Sequence, residues 1–320
     1  MSQSRRDFLQ LATMTAAAFG SLPRQAPATT PQTPAIDTHT HFYDPTRKQG
    51  VPWPPPTEPV LYKPHYPRDF QLLTQNHQIV GTVVVEASPW VEDNQWILDL
   101  AKDNPFIVGF IGNLELGKPE FAANLKRFGA NPVFRGLRVN ARALATGLGQ
   151  KTFEKDLQRL GERRYTLDVL GDGAMLPDVV RIAKLTPSLR IVIDHLPFGE
   201  WDKDVMAMEL ALVEVSKLPN LYAKVSNVVR SVDGKVIEAP ETYRPGLDAL
   251  WKLFGSDRLI YGSNWPVSNR VAPYAALHKI VADYFGAQGQ TAAEKYFWKN
   301  SLAAYGWVSR GEARRLQTRK

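Results

Sequence analysis

The chain has 320 residues, 44% of them hydrophobic, which is enough for one large α/β domain or two small ones with a sizeable core. It contains no cysteine, so disulfides, thiolate metal sites and cysteine nucleophiles are excluded, and any metal must be held by His, carboxylate or amide oxygen. The formal charge of +7 sits at the ends: positions 5–24 carry a net +2 and positions 310–320 a net +4, and no basic stripe with interleaved aromatics points to nucleic acid as a partner.

In chain order, Ser4 to Gln10 reads Ser-Arg-Arg-Asp-Phe-Leu-Gln, which resembles a twin-arginine export signal. An Ala-rich apolar segment, Leu11 to Phe19, follows it, and Ala26-Pro27-Ala28 offers a small-x-small cleavage pattern. Residues 1–28 are therefore expected to be a signal peptide and 29–320 the folded domain, placed in the periplasm or outside the cell; the alternative is a cytoplasmic protein with a basic end. No apolar run reaches the roughly 18 to 20 residues of a membrane-spanning helix, so no stable membrane insertion is expected after export.

The first strand signal, Ile36 to His41, ends in His39-Thr40-His41. Side chains at i and i+2 share a strand face, so the two imidazoles face one cavity with Asp37 on the same side, a pattern suited to metal ligation. Twelve of the 24 prolines precede residue 68, which makes the stretch from this strand to Pro67 a long loop. Beyond it, β-branched runs alternate with helical-period segments. The further strands expected are Gly81 to Ala87, Ile107 to Asn113, Phe134 to Val139, Tyr165 to Leu170, Arg190 to His195, Leu221 to Ser226 and Arg258 to Ser263. The helices between them include Asp93 to Asp103, Phe121 to Phe128, Phe153 to Glu162, Pro177 to Leu185, Val205 to Lys217 and Pro245 to Phe254. Eight β-α units with no Gly-rich dinucleotide turn after the first strand match a single-domain (β/α)8 TIM barrel better than an open Rossmann sheet.

Barrel active sites are built at the C-terminal strand ends. His39, His41, Glu86, Asn113, Arg138, His195, Lys224, Ser226 and Asn264 are the residues placed there. Arg138 suits a clamp on a carboxylate or developing oxyanion, Lys224 suits electrophilic assistance, and both, like Glu86, could equally form structural ion pairs. Asp194, of opposite parity to His195, is expected to point out into the helix layer. Trp53, Trp90, Trp201 and Trp265 could stack on a ring or pack a lid, whereas His65, His77 and His278 read as solvated or capping residues.

Asp37-Thr38-His39-Thr40-His41, Ile193-Asp194-His195-Leu196-Pro197 and Tyr261-Gly262-Ser263-Asn264-Trp265-Pro266-Val267 together resemble the amidohydrolase-related branch of the amidohydrolase superfamily, with its sugar-lactone and pyrone-dicarboxylate lactonases. Gly136-Leu137-Arg138, Ala223-Lys224-Val225-Ser226 and the closing Trp298 to Tyr305 extend the resemblance over residues 36 to about 307. It implies a metal-dependent hydrolase acting on a small-molecule lactone. His39, His41 and His195 would lie around a divalent metal, Zn2+ foremost, or around the substrate carbonyl in metal-independent members. Arg138, Trp265, Asn113 and Ser226 would contact substrate, and the metal would act as Lewis acid and activator of its water.

One position departs from the family. Asn264 stands where the family usually has Asp, and an amide is no general base. Three arrangements meet this: Glu86 takes the base role, Asn264 orients the water while a metal hydroxide attacks, or the barrel is a degenerate binder. A non-oxidative decarboxylase is the nearest enzymatic alternative.

Overall fold

The structure, a computed structural model, describes residues 33–199 and 203–318; the twin-arginine-like segment and Trp201 lie outside them. Eight strands form one parallel sheet in sequential order: β1 (Ala35–Thr40), β2 (Ile79–Val85), β3 (Ile107–Gly112), β4 (Phe134–Asn140), β5 (Thr166–Leu170), β6 (Arg190–Leu196), β7 (Leu221–Val225) and β8 (Leu259–Tyr261). The sheet curls back on itself at β1. Thr38 donates to the Tyr261 carbonyl, the His41 N–H donates to the Trp265 carbonyl at 2.9 Å, and Thr40 bridges Trp265 in parallel. This is the expected TIM barrel, and each expected strand is present with its ends shifted by at most two residues.

The near-continuous apolar runs follow from position, since strands wrapped by helices are buried on both faces. Every residue of β1 and β3 is buried. The helices that cover them are α1 (Pro67–Thr74), α2 (Asp93–Asp103), α3 (Phe121–Gly129), α4 (Ala141–Gly147), α5 (Lys151–Glu162), α6 (Leu176–Leu185), α7 (Val205–Ser216), α8 (Arg244–Phe254) and α9 (Tyr274–Ala287). The six expected from the pattern occur, and α1, α4 and α9 add to them. α4 is under two turns long and held by its cap, with Asn140 Oδ1 accepting from the Ala143 N–H. α9 is apolar on several faces, so no stripe marks it. The proline-rich stretch between β1 and α1 is irregular, pinned by the Tyr43–His65 bridge.

Gly136 in β4 exists for a close approach. A Cβ there would meet the Thr166 carbonyl oxygen of β5 at 2.0 Å, which is backbone and cannot turn aside. The chain closes with a π turn, Lys295–Lys299, and a short helix, Asn300–Tyr305; Asn300 ties it to the barrel by donating to the Ser256 and Leu259 carbonyls, both at 2.8 Å.

Candidate active site

A cavity of about 860 Å³ opens at the C-terminal ends of the strands, lined among others by His41, Trp53, Glu86, Asn113, Arg138, His195 and Asn264. His39, Asp168, Asp194, Lys224 and Ser226 are fully buried. Three imidazoles meet here: the His39 ring centroid is 5.0 Å from that of His41 and 4.4 Å from that of His195. The strand endings expected to carry the site therefore do converge.

Two of these endings share an unusual backbone. His195 and Asn264 both adopt left-handed φ, 65° and 61°, and each is followed one residue later by a cis X-Pro bond, Leu196–Pro197 and Trp265–Pro266. The left-handed turn interrupts strand alternation, and the β6–β7 register shifts between Ile193 and Leu196. This corrects the expectation for Asp194. Its carboxylate points into the barrel, 2.9 Å from Lys224 Nζ and 3.6 Å from His39 Nδ1.

Lys224 is the centre of a buried charge network. Its Nζ donates to Asp168 Oδ2 at 2.7 Å, forms the ion pair with Asp194 and lies 3.3 Å from His39 Nδ1. Tyr305, from the closing helix, donates to Asp168 at 3.1 Å. Burial opposes the ammonium, but the two carboxylates outweigh it and hold the Lys224 pKa above its ordinary value. Burial likewise opposes the Asp194 charge, yet Lys224 and then His39 hold that carboxyl well below its usual range, whereas burial pushes Asp168 up to about 7. Burial keeps the imidazoles neutral: His41 is lowered to about 3, His195 to about 4, and His39 falls well below its ordinary value. Asp168 had no signal in the sequence beyond a polar residue inside an apolar strand run. Lys224 lies beneath the pocket wall rather than on it, which replaces direct electrophilic assistance with a buried electrostatic position.

Glu86 and Arg138 both reach the cavity, as a pair. Arg138 Nε donates to Glu86 Oε1 and Nη2 to the Glu86 carbonyl, both at 2.8 Å, while the Ser88 N–H donates to Oε2 at 2.9 Å. Asn113 is held at the wall by Asn94, which receives its N–H and donates to its carbonyl, both at 2.9 Å. Ser226 does not line the cavity; its hydroxyl sits 2.8 Å from His195 Nδ1 and fixes that ring. Trp265 turns away into a core of Phe42, His65 and Phe70. Trp90 also lies off the cavity, whereas Trp53 lines it, 6.2 Å from the His41 ring. Asp37 binds backbone rather than an imidazole, accepting from the His39 and Ser263 N–H groups at 3.0 Å, and burial raises its pKa to about 6. His65 and His278 are buried against aromatic rings rather than solvated.

Among the described residues one cluster has the donor set of a metal site: His39, Asp194 and His195, with one ligand atom each within 4.8 Å of the others. His41 is outside it; its Nδ1 lies 2.9 Å from the Val85 carbonyl. A cation fits this set. Among the described residues His39 Nε2 is buried without a hydrogen-bond partner, and two carboxylates, Asp168 and Asp194, share the Lys224 ammonium.

A parallel eight-stranded barrel with imidazoles and carboxylates at its C-terminal mouth is the architecture of a TIM-barrel hydrolase. The amidohydrolase family model matches residues 36–307, and the chain belongs to that family. Among its relatives is an L-fucono-1,5-lactonase from Burkholderia ambifaria, 30% identical over 240 residues that cover 73% of this chain and 80% of the relative. Another L-fucono-1,5-lactonase, from Burkholderia multivorans, is 25% identical over 84% of this chain and 94% of its own length. An amidohydrolase from Burkholderia multivorans, solved with bound zinc, shares the fold at a TM-score of 0.76, with 24% identity over 86% of this chain and 100% of that one.

Proposed function

We propose that this hydrolase opens the ester bond of a small sugar-acid lactone. The observation that carries the reading is the meeting of three imidazoles at a cavity of about 860 Å³, with the His39 ring centroid 5.0 Å from that of His41 and 4.4 Å from that of His195, in a chain whose relatives include L-fucono-1,5-lactonases. The cavity's polar groups suit a hydroxylated ring: the Asn113 and Asn264 amides can bind hydroxyls, and Trp53 offers a flat face.

Water adds to the lactone carbonyl carbon, the ring C–O bond breaks, and the proton lost by water ends on the leaving alkoxide, giving a hydroxy acid. His41 is the residue for that proton. The Val85 carbonyl can only accept, so His41 Nδ1 carries the hydrogen and its Nε2 is bare on a ring that lines the cavity. Arg138, aimed by Glu86, supplies positive charge for the oxyanion. A divalent ion, with zinc the first choice, would be held by His39, Asp194 and His195 and would supply Lewis acidity at the carbonyl. The twin-arginine-like start supports an exported enzyme.

The test is a panel of aldono-1,5- and 1,4-lactones followed by acid release with a pH indicator. Turnover of sugar lactones is expected; no turnover across the panel, with and without added zinc, contradicts the reading.

A further inference from the structure

We infer that Lys224 is a positioning residue that fixes the proton of His39 on Nε2 and itself occupies a cation position that a metal ion would otherwise share. The inference deepens the lactonase reading by assigning the state of one of its imidazoles. It rests on the three groups around Lys224 Nζ: Asp168 Oδ2, which accepts from it at 2.7 Å, Asp194 Oδ1, an ion-pair contact at 2.9 Å, and His39 Nδ1 at 3.3 Å.

An ammonium has three hydrogens and no lone pair, so towards every neighbour it is a donor. His39 Nδ1 must then be the bare nitrogen. A neutral imidazole carries one hydrogen, so that hydrogen is on Nε2, the atom that is buried with no partner among the described residues. Asp194 is the other candidate to set the ring, but at 3.6 Å its oxygen is beyond hydrogen-bond reach, and Lys224 lies closer. The alternating pair at the end of β1 thus holds opposite tautomers: His41, just past the strand and bonded through Nδ1 to the Val85 carbonyl, exposes a bare Nε2, whereas His39 holds an Nε2–H.

The chemical consequence is a division of labour, with one ring able to take a proton and the other able to donate to an oxygen. A metal ion needs a bare nitrogen on His39 and a free oxygen on Asp194, and the ammonium competes with it for both residues. Lys224 therefore weakens metal binding at the cluster, a neighbour's effect on a ligand of the kind that changes affinity by about 10- to 100-fold.

The test is the tautomer of His39 in chelator-treated, full-length protein carrying 15N-histidine, read by long-range 1H–15N correlation and assigned through the signal lost in His39→Gln. Zinc affinity is measured alongside by competition with a chromophoric chelator. Wild-type His39 is expected as the Nε2–H form. In Lys224→Met combined with Asp168→Asn, which removes one charge of each sign, the ring is expected to gain the Nδ1–H form and zinc to bind about tenfold more tightly. An Nδ1–H tautomer in the wild type overturns the inference, whether or not the variant folds. So does a variant whose tautomer and zinc affinity are both unchanged. Neither readout uses lactone turnover, so a failure here and a failure of the lactone panel are separate results.

Discussion

Glu86 shows how a residue's neighbours decide its role. Position alone made it a candidate base, but both its oxygens are engaged, by Arg138 and by the Ser88 N–H, and what it does best is aim the guanidinium. Glu86→Gln keeps the shape but not the charge opposite Arg138. The expected outcome is a fall in kcat of about tenfold with KM little changed, because the aim of Arg138 at the oxyanion is what is lost. A fall in kcat of more than about a hundredfold at unchanged KM would instead make Glu86 the base. At this scale the sequence named most of the groups that meet at the mouth, since a histidine or arginine at a strand end is conspicuous. It could not name Asp168, whose meaning comes from Lys224 two strands away, nor the tautomers of His39 and His41, which Lys224 and the Val85 carbonyl set.

At the scale of elements, the barrel was legible because parallel strands and amphipathic helices have different periods. Alternation failed where the backbone leaves the strand. Asp194 was assigned outward by counting, but the left-handed His195 and the shifted β6–β7 register bring both neighbours inward. Trp265 follows the equally left-handed Asn264 and goes to the core, a direction that a count along β8 does not give. The contact of β4 with β5 is tight enough to test by one atom. Gly136→Ala places a methyl 2.0 Å from a backbone oxygen that cannot rotate away, so the two strands must part. Chemical denaturation should show a loss of about 2 kcal/mol or more, the order of an overpacked core site. A loss below about 0.5 kcal/mol would mean that the strands are looser than their geometry.

For the whole molecule, the buried imidazoles set the response to acid. His41, lowered to about 3, and His65, His195 and His278, each lowered to about 4, stay neutral in the folded state while an unfolded histidine protonates near 6.5. A depressed folded pKa gives stability that is complete above 6.5 and is lost as pH falls towards 4. Asp37 and Asp168, raised to about 6 and about 7, act in the opposite sense, their contribution being lost as pH rises from 3.8 through those values. Four groups against two leave the net sign with the histidines. The thermal midpoint should therefore be lower at pH 5 than at pH 7; an equal or higher midpoint at pH 5 would contradict this balance.

The central claim is that the cavity at the barrel mouth performs the hydrolysis, and His195 tests it most directly. Its ring lines the cavity, belongs to the metal-capable cluster and is fixed by Ser226, yet its removal leaves the apolar barrel core intact. The decisive measurement is kcat/KM for a hydrolysed sugar lactone in His195→Ala against wild type, with thermal unfolding as the control for folding. The account predicts a folded variant with lactone hydrolysis abolished. Full activity in a folded His195→Ala protein would contradict it.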